Sequence, residues 1–463
     1  MDFNKIQTIA HYEAKILSRE ILWKIFVLFT LALVLYFLLP TFQNFSWNRI
    51  ALDSSLPFTG IYYFNLLQVL FVIFACGNSF KRKYKQEALV VMNIYPVDNL
   101  TLFFGQALGI FRKAIFLNTI AIIAIIIVHL LVYAIPFKFG IYLFYFLTIS
   151  FPTLVFSLGF SFLVFLLVRH YFLALVIIMA CWICVYFVLA DELYGLFDPL
   201  ARMIPNTFSS FTGHVNLLPY LLQRFIYILW GIGCLYISIK LYPRIPNDCR
   251  KILMSFLTGG GYIFVGFILL VFCIYVNVYN EDVREKYREN YQAYQNSLHV
   301  NTIRHDIIYY PQKTGFSASS KLVLENSTQQ DLDYILLFLN PGLRVSSVRC
   351  DSVELSFQRN DQVVRVDRQL TVGEIIVLDV KYEGDIDEDI CYLDITTSDF
   401  QNPANNSHTI QYYGRRFAFC TSEYTLLTPE CLWYPTSVPP VNIDLPLCRE
   451  VNFTTYNLIV KNV

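Results

Sequence analysis

Long apolar runs dominate the chain up to Asn280, and short alternating segments dominate it afterwards. A helix needs about 20 apolar residues to cross the hydrocarbon core of a bilayer. Seven windows meet this requirement and are predicted to be transmembrane helices: Ile21–Leu39, Ile61–Phe80, Ala114–Ile135, Ile141–Val168, Tyr171–Ala190, Leu221–Ile239 and Ile252–Val278. Pro152 lies inside the fourth window, where it is expected to kink the helix. Before the first window, apolar residues recur at helical spacing, which predicts an interfacial helix lying on the membrane; they are Phe3, Ile6, Ile9, Ala10, Ile16 and Leu17.

The part of the chain after Asn280 follows a different pattern. Residues 280–300 are polar and rich in helix formers, which predicts a stalk or linker. Short runs of β-branched residues follow, separated by turn signals such as Asn340-Pro341-Gly342. The predicted strands are Lys321–Glu325, Tyr334–Leu339, Leu343–Cys350, Val353–Gln358, Gln362–Val366 and Glu374–Tyr382. Their close spacing favours an antiparallel β-sandwich.

Positive charges are unevenly divided between the predicted loops. Because Lys and Arg are retained on the cytoplasmic side of a membrane, the richer side is taken as cytoplasmic, and it includes the N-terminus. Fifteen cations then lie inside: Lys5, Lys15, Arg19, Lys24, Lys81, Arg82, Lys83, Lys85, Arg112, Lys113, Arg169, Lys240, Arg244, Arg250 and Lys251. Four lie outside: Arg49, Lys138, Arg202 and Arg224. An odd number of spans places the C-terminal domain on the extracytoplasmic, periplasmic side of the plasma (inner) membrane.

These patterns together predict a polytopic α-helical membrane protein with about seven transmembrane helices and a C-terminal extracytoplasmic antiparallel β-sandwich domain. The expected division is a transmembrane domain over residues 1–279, a linker over 280–300 and a β-rich domain over 301–463. A hydrophobic content of 56% and a mean hydropathy of +0.48 also favour a membrane protein. The formal net charge is zero, so nothing indicates a nucleic-acid partner.

The cytoplasmic loop after the second predicted span reads FKRKYKQEALVVMNIYPVDNL. Residues Gln86–Ile94 have room for about two helical turns, and Pro96 disfavours the α conformation in the residue before it. A short helix is therefore predicted at the cytoplasmic surface. Its apolar side chains are Leu89, Val90, Met92 and Tyr95.

This loop resembles that of the type-2 ABC exporter permeases, which assemble with separate ATPase subunits. In that family a coupling helix is followed by a Pro-Val turn and by a glycine nine residues after the proline, a spacing shared by Pro96-Val97 and Gly105. The N-terminal helix, which ends HYEAKILSRE, also resembles the family's opening element. The resemblance covers roughly residues 1–245. It implies an ATPase contact through Gln86, Glu87, Leu89, Val90, Met92, Asn93, Tyr95 and Pro96.

The chain contains no G-x-x-x-x-G-K-[ST] loop, so ATP and Mg²⁺ are expected in a partner ATPase and no cofactor is expected in this chain. The other expected partners are a second permease subunit, the same or related, and membrane lipid. A simpler interpretation is that the basic run only marks orientation and that the short helix lies on lipid. For Lys81–Lys85, orientation alone explains the charges.

Three polar residues lie inside predicted spans, namely Asn65, Gln68 and Asn118. Polar groups at such depth often face the bundle interior or a substrate path. They are candidate path-lining residues, although hydrogen bonding between helices is the favoured interpretation.

From Asp306 onward the strands resemble the N-terminal β-domain of the aminopeptidase N family of zinc peptidases. The similar stretches are SASSKLVLENST, LDYILLFLNPGLRVSSVRC, RQLTVGEIIVLDVKYEGDI and YYGRRFAFCTSEYTLLTPECLWYPTS. The resemblance implies the β-scaffold. Zinc hydrolysis needs H-E-x-x-H and a third ligand, and this sequence lacks the motif, so neither enzymatic activity nor a metal is expected. His305, beside Asp306, and the acidic run Asp385–Asp389 are interpreted as parts of solvated turns.

Some bacterial exporter permeases carry such a peptidase after their last span, and this chain resembles the front part of one. The leading hypothesis is therefore a permease subunit of an ATP-driven exporter whose external β-domain binds or hands over cargo. Two alternatives stay open. One is a non-transporting membrane anchor whose β-domain recruits a partner, such as a separately encoded peptidase; the other is a fragment of a longer fusion.

Five cysteines lie in the predicted external domain: Cys350, Cys391, Cys420, Cys431 and Cys448. Disulfides are permitted in that compartment. Cys420 and Cys431 flank a compact segment and are the preferred pair, but spacing alone does not fix the pairing.

Overall fold

The computed structural model describes residues 3–38, 54–83, 97–133, 136–190, 195–201, 208–209, 213–214, 217–242, 249–393, 396, 418–420, 424–439 and 454–461. The chain divides into two compact units. The first lies within Met1–Tyr275, and the second within Val276–Asn405 and Arg415–Val463. The first is helical and the second is rich in strands, although the domain boundaries at 279 and 300 stay a prediction.

Long helices make up most of the first unit. The helices of the described residues are α1 Phe3–Arg19, α2 Ile21–Leu38, α3 Ser55–Lys83, α4 Asn99–Val132, α5 Phe139–Tyr145, α6 Phe151–Val168, α7 Tyr171–Cys184, α8 Leu217–Leu241 and α9 Cys249–Tyr294. Within this part of the chain, seven helical segments are long and apolar enough to cross a membrane, counting Phe139–Val168 and Tyr171–Leu189 as one segment each. The prediction of seven long apolar helices is confirmed, and their insertion in a bilayer stays a prediction.

The fourth of these segments accommodates Pro152 by a local change of helical pitch. A π-helical turn, Phe146–Ser150, joins α5 to α6, and Pro152 occupies the first turn of α6. Proline has no N–H to donate, and its ring clashes with a preceding carbonyl in a regular α-helix. A π turn widens the helix at that point, so the segment continues past the proline.

In the described residues the second unit contains three sheets: two contribute most of one hydrophobic core, and the third is a two-stranded hairpin. Its strands are β3 Asn301–Pro311, β4 Phe316–Glu325, β5 Ile335–Phe338, β6 Leu343–Cys350, β7 Val353–Glu354, β8 Phe357–Asn360, β9 Val363–Val366, β10 Ile375–Gly384, β11 Ala418–Cys420, β12 Thr425–Leu427 and β13 Thr455–Val460; a small hairpin in the first unit supplies β1 Phe208–Ser209 and β2 Gly213–His214. The largest sheet has the order β13-β3-β4-β10-β6-β7, the second has the order β5-β9-β8, and the hairpin consists of β11 and β12. The β10 strand pairs with β4 over ten residues, from Ile375 opposite Glu325 to Gly384 opposite Phe316.

The strand prediction needs two corrections. The predicted strand Val353–Gln358 is divided between β7 and β8, which belong to different sheets. The sheet is also not wholly antiparallel, because β13 pairs parallel with β3. Parallel neighbours require a long connection between them, and these two strands lie far apart in the sequence.

The end of α9 belongs to the second unit and packs against the strands. Arg284 is fully buried, and its guanidinium donates hydrogen bonds to the backbone carbonyls of Asp389 (2.8 Å) and Cys391 (2.6 Å). The Tyr287 hydroxyl donates to Asp387 at 2.8 Å. Residues predicted to be a linker are therefore helical as far as Tyr294, and this helix is part of the domain's own packing.

Candidate functional site

The N-terminal helix α1 lies directly on α4. Its buried side chains are Ile6, Ala10, Glu13 and Leu17. Two glycines of α4 permit the close approach: a Cβ on Gly105 would lie 2.7 Å from Ile9, and one on Gly109 would lie 2.6 Å from the Glu13 Cβ. Separations under 3.0 Å do not occur between real Cβ atoms and their neighbours. A side chain at position 105 would collide with the N-terminal helix, so the helix contact explains why glycine occupies this position.

A cluster of charged and polar groups, here called the N-terminal clamp, joins α1 and the bend that follows it to the end of α3. It consists of Glu13, Glu20, Asn78 and Arg82. The two terminal nitrogens of Arg82 contact separate carboxylates, Nη2 on Glu13 and Nη1 on Glu20. The Asn78 amide donates to the second carboxylate of this pair, Glu20, at 3.0 Å. The Glu13 side chain is only 9% exposed, so the clamp is a partly buried ion-pair network.

Further contacts support the same face of α1 and the start of α2. Arg112 of α4 donates to the side chain of Gln7. The ammonium of Lys113 lies 5.0 Å from the ring centre of Trp23, within cation–π range. These contacts fix α1 to α4 along several turns.

The predicted ATPase-contact residues, Gln86, Glu87, Leu89, Val90, Met92, Asn93, Tyr95 and Pro96, lie outside the described residues. The chain is described again from Val97, and Asp98 precedes α4, with its carbonyl accepting a hydrogen bond from the Leu102 N–H at 3.0 Å. The clamp residue Arg82 lies two positions before segment 84–96. Both flanks of that segment are thus anchored in helices that contact one another.

Sequence reasoning missed the clamp. The charge of Arg82 was attributed to orientation alone, whereas the structure gives its guanidinium two specific partners. The available signal was the presence of two acids, Glu13 and Glu20, in an N-terminal segment that is otherwise rich in Lys and Arg.

The three polar residues of the spans meet in a buried hydrogen-bonded chain. Asn118 of α4 donates to the Gln68 side-chain oxygen, and Gln68 donates to Asn65 at 3.1 Å and to the carbonyl of Ser150 at 3.0 Å. Asn65 then donates to the Thr153 hydroxyl of α6 at 3.2 Å. Their amides thus bond across three helical segments, and a role in lining a path stays a prediction.

The chain of polar groups continues to α8 through the carbonyl of Pro199. Thr153 reaches that oxygen at 2.6 Å, and Arg224 donates to it at 2.9 Å. Arg224 is 2% exposed and also donates to the carbonyl of Asp198 at 2.7 Å and to Gln223. Arg224 is counted with the outer cations and also falls within the predicted span Leu221–Ile239; in the structure it lies inside α8 and binds the segment 195–201. Carbonyl acceptors around the guanidinium reduce the cost of burying its charge.

The acidic turn and His305 in the second unit have different environments. Asp387 begins the short 3₁₀ helix Glu388–Ile390, and its carboxylate accepts from the Asp389 N–H at 3.0 Å. Burial, followed by the neighbouring Asp387, raises the pKa of Asp389 to about 6. His305 lies in β3, is 1% exposed and packs against the rings of Tyr434 and Tyr456. The solvated-turn interpretation is therefore wrong for His305, whose burial lowers its pKa to about 4.

The cysteine geometry differs from the preferred pairing. Cys431 lies beside Cys391, with the two Sγ atoms 3.9 Å apart. Cys420 lies in β11 and is half-buried. No group of three or more His, Cys, Asp or Glu side chains in the described ranges is placed to hold a metal ion.

Comparisons with known proteins do not identify a family. No protein-family model matches the chain, and no curated protein matches it. Solved structures that share some likeness include an M1 zinc metallopeptidase from Deinococcus radiodurans, with 23% identity over 19% of this chain and 21% of that one and a TM-score of 0.18. Leukotriene A4 hydrolase from Saccharomyces cerevisiae gives 18% identity over 19% of this chain and 15% of that one, with a TM-score of 0.17. The chain thus corresponds to about a fifth or less of these enzymes, and likeness of this extent carries no conclusion about fold, metal or activity.

Proposed function

We propose that this chain is a transmembrane subunit of an ATP-binding-cassette exporter, coupled to a separate ATPase through residues 86–94. The observation that carries the proposal is the N-terminal clamp, in which Arg82 is held by Glu13 and Glu20. The clamp ties the helix end that leads into segment 84–96 to α1, and α1 in turn lies on α4, which follows that segment.

A subunit without a nucleotide-binding loop must receive the motion of its ATPase through a cytoplasmic contact. If the contact helix were joined to the bundle only by flexible loops, it could move with the ATPase without moving the transmembrane helices. A contact helix between two anchored helix ends passes the displacement to the bundle, because α1, α3 and α4 pack together at this end.

The remaining parts of the proposal follow from the same assignment. A second permease subunit, the same or related, completes the path through the membrane, and ATP and Mg²⁺ are bound by the ATPase. The β-rich unit lies outside the cytoplasm and binds cargo or a protein partner, such as a peptidase.

The test is recovery of the native complex from membranes. We expect the tagged full-length chain to bring down an ATPase subunit in stoichiometric amount. Met92→Glu and Tyr95→Glu should each reduce that recovery at least about tenfold, because an unpaired carboxylate in an apolar contact costs more than about 1.4 kcal/mol.

Leu298→Glu is the matched control. It makes the same apolar-to-acidic change on a 48% exposed side chain of the second unit, and it should leave ATPase recovery and turnover unchanged. Wild-type recovery and turnover in both loop variants would rule out the coupling role. Recovery of a peptidase without any ATPase would instead favour the membrane-anchor function.

A further inference from the structure

Two buried cysteines of the second unit face each other across two short helices. Cys391 follows the 3₁₀ helix Glu388–Ile390, and Cys431 ends the 3₁₀ helix Pro429–Cys431. Both are 0% exposed, and the Cys391 S–H points at the Cys431 sulfur with 3.9 Å between the sulfur atoms. A disulfide requires about 2.05 Å between them, so the two sulfurs must approach by roughly 1.9 Å for a bond to form.

Hydrogen bonds to the backbone of both cysteine-bearing segments hold the two cysteines close together. The Asn340 side-chain amide donates to the carbonyl of Cys431 at 2.7 Å and to that of Asp387 at 2.8 Å. Its oxygen accepts from the Asp387 N–H at 2.9 Å. Arg284 binds the other segment through the carbonyl of Cys391 at 2.6 Å. One asparagine therefore connects both cysteine-bearing segments, and their proximity is built into the fold.

We propose that Cys391 and Cys431 form a native disulfide bond in the β-rich unit. The pair replaces the pairing of Cys420 with Cys431 that chain spacing favours. The inference rests on the extracytoplasmic location proposed above, because disulfides persist in oxidising compartments, and it does not depend on transport.

In the folded unit the two thiols differ in acidity. Hydrogen bonds from the Cys391 S–H and from Thr428 lower the pKa of Cys431, whereas its hydrogen bond to Cys431 and burial raise that of Cys391. Oxidation begins when the thiolate of one of the two cysteines attacks a protein disulfide oxidant and releases one oxidant thiolate. The other cysteine then loses its proton and attacks the first cysteine's sulfur, which displaces the second oxidant thiolate.

The overall reaction is balanced. The two thiols lose two protons and two electrons, and the oxidant's disulfide becomes a dithiol. Because both sulfurs are inaccessible in the folded unit, the mixed disulfide forms before folding is complete. The finished bond is then shielded from external reductants.

The test is peptide mapping of the wild-type full-length chain, which needs no variant to fold. Membranes are quenched in acid, the protein is denatured with N-ethylmaleimide present, and the digest is analysed without reductant. We expect a cross-linked peptide pair containing Cys391 and Cys431 that is lost on reduction. In Cys391→Ser the Cys431 thiol should become alkylated, while Cys350→Ser, the matched control, should retain the cross-link.

Two results would overturn the proposal: alkylation of both cysteines before reduction, or a cross-link from Cys431 to Cys420. Labelling of a Lys313→Cys variant in intact cells with a membrane-impermeant maleimide separates the causes of failure. If Lys313→Cys is labelled in intact cells and Cys391 and Cys431 are nevertheless reduced, the disulfide is rejected and the extracytoplasmic location stands. If Lys313→Cys is not labelled in intact cells and both cysteines are reduced, the extracytoplasmic location is rejected together with the disulfide.

Discussion

Arg82 combines two roles in one side chain. Its charge adds to the positive bias on which the predicted orientation rests, and any cation would serve for that. Its contact with two carboxylates at once depends on the planar, forked guanidinium, which a lysine ammonium does not reproduce.

We expect Arg82→Lys to lower the free energy of unfolding by roughly 1–2 kcal/mol, between the values for an exposed and a buried ion pair. The physical reason is the loss of one of the two carboxylate contacts beside the buried Glu13. The measurement is the apparent melting temperature in detergent. Lys81→Arg, the control, keeps the charge at the neighbouring position and should have the wild-type melting temperature. An unchanged melting temperature in Arg82→Lys would show that the contact with two carboxylates is not made.

His305 makes the β-rich unit sensitive to acid. Its folded pKa of about 4 lies below the unfolded value of about 6.5. The unfolded chain therefore binds more protons between these values, and stability falls as the pH drops from about 6.5 towards 4. The groups around the imidazole are the rings of Tyr434 and Tyr456 and the carboxylate of Asp306, which opposes the shift.

We expect His305→Phe to remove up to about 3 kcal/mol of acid destabilisation at pH 4 while retaining the ring contacts. Thermal unfolding of wild type and variant should be compared from pH 7 to pH 4.5. The raised pKa of Asp389 makes the folded unit more stable as the pH falls, and it does so equally in wild type and variant. The difference between their stabilities therefore reports the contribution of His305 alone. Parallel pH curves would contradict the assignment.

At the scale of elements, the contact between α1 and α4 depends on the absence of side chains at two positions. A Cβ at Gly109 would meet Glu13 at 2.6 Å and the Ala10 carbonyl at 2.9 Å. The neighbouring helix cannot yield there without losing the clamp, because Glu13 belongs to both contacts.

Gly109→Leu should therefore lift α1 from α4 and destabilise the unit by about 1–3 kcal/mol. Limited trypsin digestion, with cleavage after Lys15 and Arg19 as the readout, reports the displacement directly. Gly260→Leu is the matched helical control, since a Cβ at that glycine meets nothing within 4 Å. Equal digestion of the two variants would mean that the glycine face does not hold α1.

Local pattern predicted many of the elements but not their pairing, and it missed β3 and the continuation of α9 to Tyr294. Seven long apolar helices followed from run length, and β6 was predicted at its observed bounds, Leu343–Cys350, from β-branched content and turn residues. The parallel partner of β3 was not predictable, because β13 reaches it from a distant part of the chain. The same limit applied to the cysteines: spacing along the chain favoured Cys420, whereas Asn340 brings Cys391 to Cys431.

In the candidate site, too, the sequence identified individual polar residues but not all of their contacts. Asn65, Gln68 and Asn118 were identified because amides are rare in apolar helices, and the structure brings all three together. Their continuation through Pro199 to Arg224 depends on a backbone carbonyl in a loop. No residue-type signal marks such an acceptor, so the sequence pattern could not reveal it.

For the whole molecule, orientation is the property that connects the proposals. We expect Lys313→Cys, an exposed position of the β-rich unit, to react with an impermeant maleimide in intact cells. Lys5→Cys, exposed on α1, should react only after the membrane is permeabilised. The unmodified chain gives the background from its own cysteines. Reaction of Lys5→Cys in intact cells would reverse the assigned orientation.

The N-terminal clamp also restricts how this region can vary through evolution. Positions 81, 83 and 85 are expected to exchange lysine and arginine freely among homologues, because either residue satisfies the charge bias. Position 82 should stay arginine wherever acids occupy positions 13 and 20, and should drift when either acid is lost. Covariation of these three positions, rather than conservation of the basic run, would then mark the lineages that retain the N-terminal clamp.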